Sequence, residues 1–340
     1  SLAADCPGDH NAGRQPDVPQ QTEWSMRFGL QINPYFYGDT GNPWDLVEPV
    51  TRAADESLLD SVWVYDHLLY EGGYPGHPDP EPAMECFTIL GAMAAITKRV
   101  RLGQLVIGIP YRNPALTAKM ATTLDMISRG RSILGIGAGW HQREYEAYGF
   151  GEWEPVGVRM KRLEEATQVI LKIWGEQPVG EYQGDYYRLS TLTENPLPVQ
   201  KPHPPIMIGG SGEKVTLRLV AQYAQFCNVG GDPETVGRLL QALRGHCDRL
   251  GRDYDAITKS AYTMVMIGKD EAEVERKREA LSRYIPRRGA SIGTPDQLIE
   301  EFRAYAKAGV EYMVFRMPDW TDLDALRMFS DKVIPAVADL

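Results

Sequence analysis

Residues 101–107 read RLGQLVI, 108–113 read GIPYRN, 114–127 read PALTAKMATTLDMI, and 132–137 read SILGIG. The first and last of these are short apolar runs of β character. Between them lies an amphipathic stretch that opens on Pro114, and Gly130 follows its end. Proline suits the first turn of a helix because its missing N–H would have no partner there, and glycine suits the left-handed stop. The stretch therefore predicts a strand, a helix and a second strand, which is the unit of a parallel sheet.

The same unit recurs along the chain. The apolar runs predict strands over residues 27–33 (RFGLQIN), 61–66 (SVWVYD), 101–107, 132–137, 205–209 (PIMIG), 226–229 (FCNV), 260–267 (SAYTMVMI) and 311–316 (EYMVFR). Helical patterns fall over 45–59, 81–96, 114–127, 158–174, 213–224, 233–250, 270–284, 295–308 and 322–337. Gly293-Thr294-Pro295-Asp296 reads as a helix start, and Gly130, Gly175, Gly251 and Gly309 read as stops. About eight β/α repeats predict a closed (β/α)8 barrel, a TIM barrel, with sites at the C-terminal ends of its strands. A doubly wound open sheet is the alternative. Two insertions are expected. One follows the second strand at 68–82 (LLYEGGYPGHPDPEP), as a lid or substrate-shaping loop. The other follows the fourth at 175–204, with a hairpin turning at Gly184-Asp185.

Composition narrows the function. The 340 residues are 43% hydrophobic and 24% charged, as in an ordinary folded protein, and 36 Lys and Arg stand against 46 Asp and Glu for a net charge of −10. That field repels polyanions, so no nucleic-acid partner is expected. Cys6, Cys86, Cys227 and Cys247 are widely spaced, as are His10, His67, His77, His141, His203 and His246, so neither a disulfide framework nor a metal site is expected. Unpaired thiols fit a cytoplasmic protein. No apolar run reaches the ~18 residues of a membrane span. Residues 1–25 are polar, without the charged and apolar regions of a secretory signal, and read as an N-terminal arm or a cloning remnant before a barrel over 26–340.

Four strand ends carry the chemistry. Trp63-Val64-Tyr65-Asp66-His67 closes a strand on an acid and an imidazole able to exchange a proton near neutral pH, although the pair equally suits a loop cap. Residues 105–114 (LVIGIPYRNP) run through Gly and Pro into a helix, fitting either an unusual backbone beside a ligand or an ordinary turn. Gly135-Ile136-Gly137-Ala138-Gly139-Trp140-His141 lets backbone approach a flat ligand, and Trp140, where a dinucleotide fingerprint has its third glycine, disfavours a Rossmann site. Ile208-Gly209-Gly210-Ser211-Gly212-Glu213-Lys214 is a strand, Gly-rich turn and helix start suited to phosphate, with Lys214 and Arg218 adding charge, but it lacks the GK[ST] of a nucleotide P-loop.

Taken together and in order, WVYDH, RLGQLVIGIPYRNPALTAKMATTLD, GRSILGIGAGWHQREYEAYGF and PPIMIGGSGEKVTLRLVAQYA resemble the luciferase-like flavin and deazaflavin oxidoreductases over essentially Met26 to Val337. The GAGW and IGGSGEK forms are similar to the branch that depends on coenzyme F420. The resemblance implies a (β/α)8 barrel with an insertion and a deazaflavin ring at its C-terminal mouth. Asp66 and His67 match the acid and histidine beside that ring, and Gln104 and Leu105 match a bulged strand, often with a cis peptide, that backs it. Ile107, Ala138, Gly139 and Arg143 match further cofactor contacts, Gly209, Gly210, Gly212 and Glu213 match the phosphate turn, and Trp140 and Lys214 join the cofactor set. One departure stands out. Where the sugar-phosphate dehydrogenases of the family have a proton-exchanging glutamate, this chain has Trp140, which puts that reaction in doubt and leaves His67, with Glu71 or Tyr74 of the lid, as candidate acids.

The expected activity is hydride transfer between F420 and a small organic substrate, with His67 managing the proton and Asp66 orienting it. Tyr35, Phe36, Tyr37, Tyr74 and Trp140 are the aromatic residues expected at the substrate pocket. The alternatives are an FMN-dependent monooxygenase served by a separate reductase and, third, a non-catalytic flavin-binding barrel. A homodimer is the family expectation.

Overall fold

The computed structural model of the chain describes residues 26–32, 42–69, 83–286 and 289–338. Its strands are Arg27–Gln31 (β1), Ser61–Val64 (β2), Arg101–Gln104 (β3), Ile107–Gly108 (β4), Ser132–Gly137 (β5), Tyr182–Gln183 (β6), Arg188–Leu189 (β7), Ile206–Gly209 (β8), Phe226–Gly230 (β9), Thr258–Ile267 (β10), Ala290–Gly293 (β11) and Tyr312–Arg316 (β12). Eight of them close a parallel ring in the order β1, β2, β3, β5, β8, β9, β10, β12, and β12 returns to β1 through Gly29↔Val314 and Leu30↔Phe315. This is the (β/α)8 barrel that the repeats predict. The open-sheet alternative falls on the β12–β1 pairing.

Helices cover the ring: Trp44–Glu56 (α1), Cys86–Ile96 (α2), Pro114–Ile127 (α3), Gln142–Ala147 (α4), Val156–Trp174 (α5), Thr216–Tyr223 (α6), Pro233–Leu250 (α7), Glu271–Ala280 (α8), Pro295–Lys307 (α9), Leu323–Met328 (α10) and Ile334–Ala338 (α11). Their ends follow local chemistry. Asn113 and Asp232 cap α3 and α7 ahead of Pro114 and Pro233, and Thr294 with Gln297 forms a capping box on α9. Gly130, Gly251 and Gly309 have φ of 83°, 64° and 100°, the left-handed stops expected of them. Gly175 does not, since its φ is −82°.

The barrel interior is filled by Trp63, Ile133, Met207, Phe226, Tyr312 and Val314. Trp63 fits because its neighbours on both sides carry no side chain: a Cβ on Gly103 would lie 2.3 Å from the indole, and one on Gly29 would lie 2.5 Å from Nε1. Outside the ring, Phe28, Phe302, Phe315 and Phe329 meet edge-on or tilted, with Phe28 to Phe302 at 5.2 Å and Phe315 to Phe329 at 4.5 Å between centroids, and so seal the seam where the last strand meets the first.

Three elements differ from the sequence reading. The expected strand over 101–107 is two pieces, β3 and β4, broken at 105–106, where the Leu105–Val106 peptide is cis. β11 carries no strong signal, with Ile292 the one large apolar residue among its four (ASIG), and the upper half of β10 pairs with it from Met264↔Ala290 to Ile267↔Gly293. The short α4 follows the Gly-rich turn after β5. The insertion after the fourth barrel strand contains the β6–β7 antiparallel hairpin around Gly184-Asp185, whereas the long loop after β2 falls largely on residues 70–82, outside the described residues.

Candidate active site

The C-terminal ends of β2, β4, β5 and β8 surround a cleft with two adjoining lobes. The larger, about 400 Å³, is lined by Asp66, His67, Ile107, Gly108, Tyr111, Gly137, Ala138, Gly139 and Trp140 among others. The smaller, about 320 Å³, lies towards the barrel axis and is lined by Gln31, Asn228, Gly230 and Tyr262. Tyr65, Leu105, Val106, Gly209 and Gly210 line both.

His67 leaves β2 directly into the cleft. Its Nδ1 lies 3.1 Å from Oε2 of Glu144, a fully buried carboxylate. Glu144 also accepts from Leu68 N–H at 2.5 Å, Leu69 N–H at 2.8 Å and the Tyr111 hydroxyl. It is delivered by α4, whose first turn is set by the His141 side chain accepting from Glu144 N–H at 3.0 Å. Burial alone would raise the Glu144 pKa, but the hydrogen bonds from His67, Leu69 and Tyr111 outweigh it and hold the carboxyl below the usual carboxylate range. Because a carboxylate only accepts, Nδ1 of neutral His67 carries the proton, and Nε2 becomes the basic nitrogen. Trp140, 72% exposed, sets its ring 5.2 Å from the His67 ring in an edge contact.

Asp66 turns the other way. Its Oδ2 accepts from Gly108 N–H at 3.0 Å and from Arg112 at 2.7 Å, and Arg112 also holds Glu85, the cap of α2, at 2.7 Å. Burial pushes the Asp66 carboxyl up despite Arg112. Its Oδ1 is buried without a hydrogen-bond partner among the described residues. Asp66 thus ties β2, β4 and α2 together beneath the cleft.

Most expected cofactor residues gather here. Asp66, Leu105, Ile107, Ala138, Gly139, Trp140, Gly209 and Gly210 line the cleft. Others do not. Gln104 is buried and accepts from Gly135 N–H at 3.2 Å, supplying the hydrogen bond that the break between β3 and β4 denies to β5. Arg143 is exposed on α4. Gly212, Glu213 and Lys214 are exposed beyond the rim, with the Glu213 carboxylate paired to Arg238 and its carbonyl accepting from His246 at 2.7 Å. Tyr35, Phe36, Tyr37, Glu71 and Tyr74 lie outside the described residues.

Sequence reasoning missed Glu144, Tyr111 and Arg112 as site residues. The spacing His141-x-x-Glu144 at a helix start was the available signal for Glu144. Nothing local points to Arg112, whose partners are 46 and 27 residues away.

The cleft suits a flat, uncharged ring. Its walls are largely backbone: a Cβ on Gly137 would meet Val106 at 2.7 Å, one on Gly209 would meet it at 3.0 Å, and Gly210 has a φ of 130°. Asp66 Oδ1 is a buried acceptor in that wall, suited to a ligand N–H. Among the described residues no cluster of His, Cys, Asp and Glu could hold a metal, and no helix is long and apolar enough to cross a membrane.

Comparisons with known proteins agree with this architecture. A family model described as luciferase-like monooxygenase matches residues 26–290. The F420-dependent glucose-6-phosphate dehydrogenase of Segniliparus rotundus is 30% identical over 334 residues, spanning 88% of this chain and 95% of that protein. The phthiodiolone/phenolphthiodiolone dimycocerosates ketoreductase of Mycobacterium tuberculosis is 32% identical over 278 residues, 76% of this chain and 68% of that one. Among solved structures, an F420-dependent secondary alcohol dehydrogenase in complex with an F420-acetone adduct shares the fold with a TM-score of 0.78 at 23% identity, over 92% of this chain and 99% of the other.

Proposed function

The chain belongs to the luciferase-like monooxygenase family, and from that premise we propose that it is an oxidoreductase that uses coenzyme F420 to move a hydride to or from a small organic substrate. The observation that carries this reading is the His67 imidazole held on the Glu144 carboxylate at 3.1 Å, at the wall of a glycine-lined cleft wide enough for a flat ring. The F420-dependent relatives at about 30% identity over most of the chain favour the deazaflavin over FMN.

Asp66, Leu105, Ile107, Ala138, Gly139, Gly209 and Gly210 are the residues that would hold the ring. When bound, the deazaflavin supplies a carbon that accepts or gives a hydride and reacts poorly with dioxygen. The protein's share is proton management and exclusion of water. Glu144 fixes His67 in the tautomer whose Nε2 takes the proton from a substrate hydroxyl, and in the reverse direction Nε2–H returns it. Tyr111 and the Leu68 and Leu69 N–H groups keep Glu144 ionised and still. Trp140 walls the cleft at the rim and has no acidic proton to offer, so His67 carries this role.

Turnover with F420, followed as loss of deazaflavin absorbance across a panel of alcohols, tests the proposal. His67→Ala should lower kcat about 100-fold while F420 affinity changes by no more than about threefold. An enzyme that ignores F420 and consumes dioxygen with reduced FMN would overturn it.

A further inference from the structure

The turn after β5 presents two backbone donors to the larger lobe, and a side chain outside the ring aims them. Arg159, near the start of α5, is itself held fast: its Nε donates to the Glu154 carbonyl at 3.0 Å, and its guanidinium carbon lies 4.1 Å from the Trp153 ring centroid. From there Nη1 donates to the Gly139 carbonyl and, at 3.4 Å, to the Ala138 carbonyl. A cation near the start of a helix works against the helix dipole, so the two carbonyls account for Arg159 better than α5 does.

The peptide bonds on either side of Gly139 are trans, and in a trans peptide the C=O and N–H point opposite ways. With both carbonyls turned to α5, the backbone N–H groups of Gly139 and Trp140 turn back to the lobe, which these two residues line. Neither N–H has a hydrogen-bond partner among the described residues. Gly139 has a φ of 73°, the left-handed conformation that sets successive N–H groups on one side as an anion-binding nest. A Cβ there would also lie 3.3 Å from Pro110. The Trp140 ring, 5.2 Å from that of His67, places the donors on the His67 side of the lobe.

Resting on the oxidoreductase reading, we propose that the backbone N–H groups of Gly139 and Trp140 form an oxyanion site for the substrate oxygen, with Arg159 as the positioning residue that aims them. In the oxidising direction the substrate O–H bond breaks and its proton goes to Nε2 of His67. The adjacent C–H bond breaks with its electron pair, which leaves as hydride to the deazaflavin, and the C=O bond forms. Between these events the oxygen carries negative charge, and two fixed donors stabilise that charge more than they stabilise the neutral hydroxyl. In the reducing direction the same donors polarise the carbonyl.

Amide NMR on protein labelled with 15N at glycine and tryptophan, with F420 and again without it, tests the site. Cyclohexanone should move the Gly139 and Trp140 amide protons downfield, whereas methylenecyclohexane, of similar shape but without the oxygen, should not. Arg159→Met should abolish those shifts. With F420 and the fastest alcohol of the panel it should lower kcat about 30-fold and leave KM within about threefold, because the donors act on the transition state. Arg159→Lys, which keeps a donor for one carbonyl, should recover part of kcat, and it decides the matter together with the wild-type shifts if Arg159→Met does not fold. Amide protons that ignore cyclohexanone, or a kcat that neither Arg159 variant lowers, would overturn the assignment. Amides that respond to cyclohexanone in a protein that turns over no alcohol with F420 would keep the donor pair and strike the oxidoreductase reading instead.

Discussion

The Glu144 carboxylate gathers donors from two distant parts of the chain: His67 with the two N–H groups after it, and Tyr111. Its charge should therefore matter to stability as well as to His67. Glu144→Gln keeps the shape but offers an amide to groups that need an acceptor, and should cost about 1–3 kcal/mol at neutral pH in urea unfolding. Because the folded pKa is depressed, that contribution is present above the unfolded value near 4.3 and lost as pH falls through the folded one. The gap between wild type and variant should accordingly close in acid, and a gap independent of pH would show that the charge is idle. Arg112→Met strands Asp66 as a buried, unpaired carboxylate, at about 3–5 kcal/mol. Asp66 is already pushed up by burial, so without Arg112 it takes up a proton more readily still, and the penalty should shrink as pH is lowered. Asp66 and His67 were legible in sequence because they sit side by side at a strand end. Glu144 and Arg112 were not, because each acquires its meaning from partners tens of residues away.

At the scale of the elements, β2 and β3 show how composition sets the ring. Trp63 occupies the interior only because Gly29 and Gly103 flank it, and the buried indole has no room to retreat from a methyl group at 2.3 Å. Gly103→Ala should cost about 1–3 kcal/mol as overpacking, read as a lower urea midpoint with unchanged slope. A neutral result would mean that β2 and β3 part more easily than their ladder suggests. Strands rich in β-branched and aromatic residues were plain in the sequence. The interruption at 105–106 was not, because periodicity is blind to a pause in pairing, and Gln104, read as a cofactor ligand, turns out to repair that pause through Gly135 N–H. β11 was invisible for a related reason. A strand of four residues with a single large apolar side chain, Ile292, is defined by its partner β10 and not by its own pattern.

Across the whole molecule, the eight repeats were enough to choose a closed barrel, since each buries one face on the sheet and needs its neighbours to do so. Closure itself rests on the β12–β1 ladder and the phenylalanine cluster over it. Phe329→Ala, which empties the centre of that cluster, should cost about 3–5 kcal/mol, and a Tm within a degree or so of wild type would show that the seam does not depend on it. Closure also brings the ends of β1, β2, β8, β9 and β10 to one mouth, and so assembles residues from 31 to 262 around one cleft. The most direct test of a deazaflavin site at that mouth is a titration of the purified protein with F420 and, separately, with FMN, following quenching of each ring's fluorescence. F420 should bind at least about tenfold more tightly than FMN. Tighter binding of FMN, or binding of neither, would contradict the assignment.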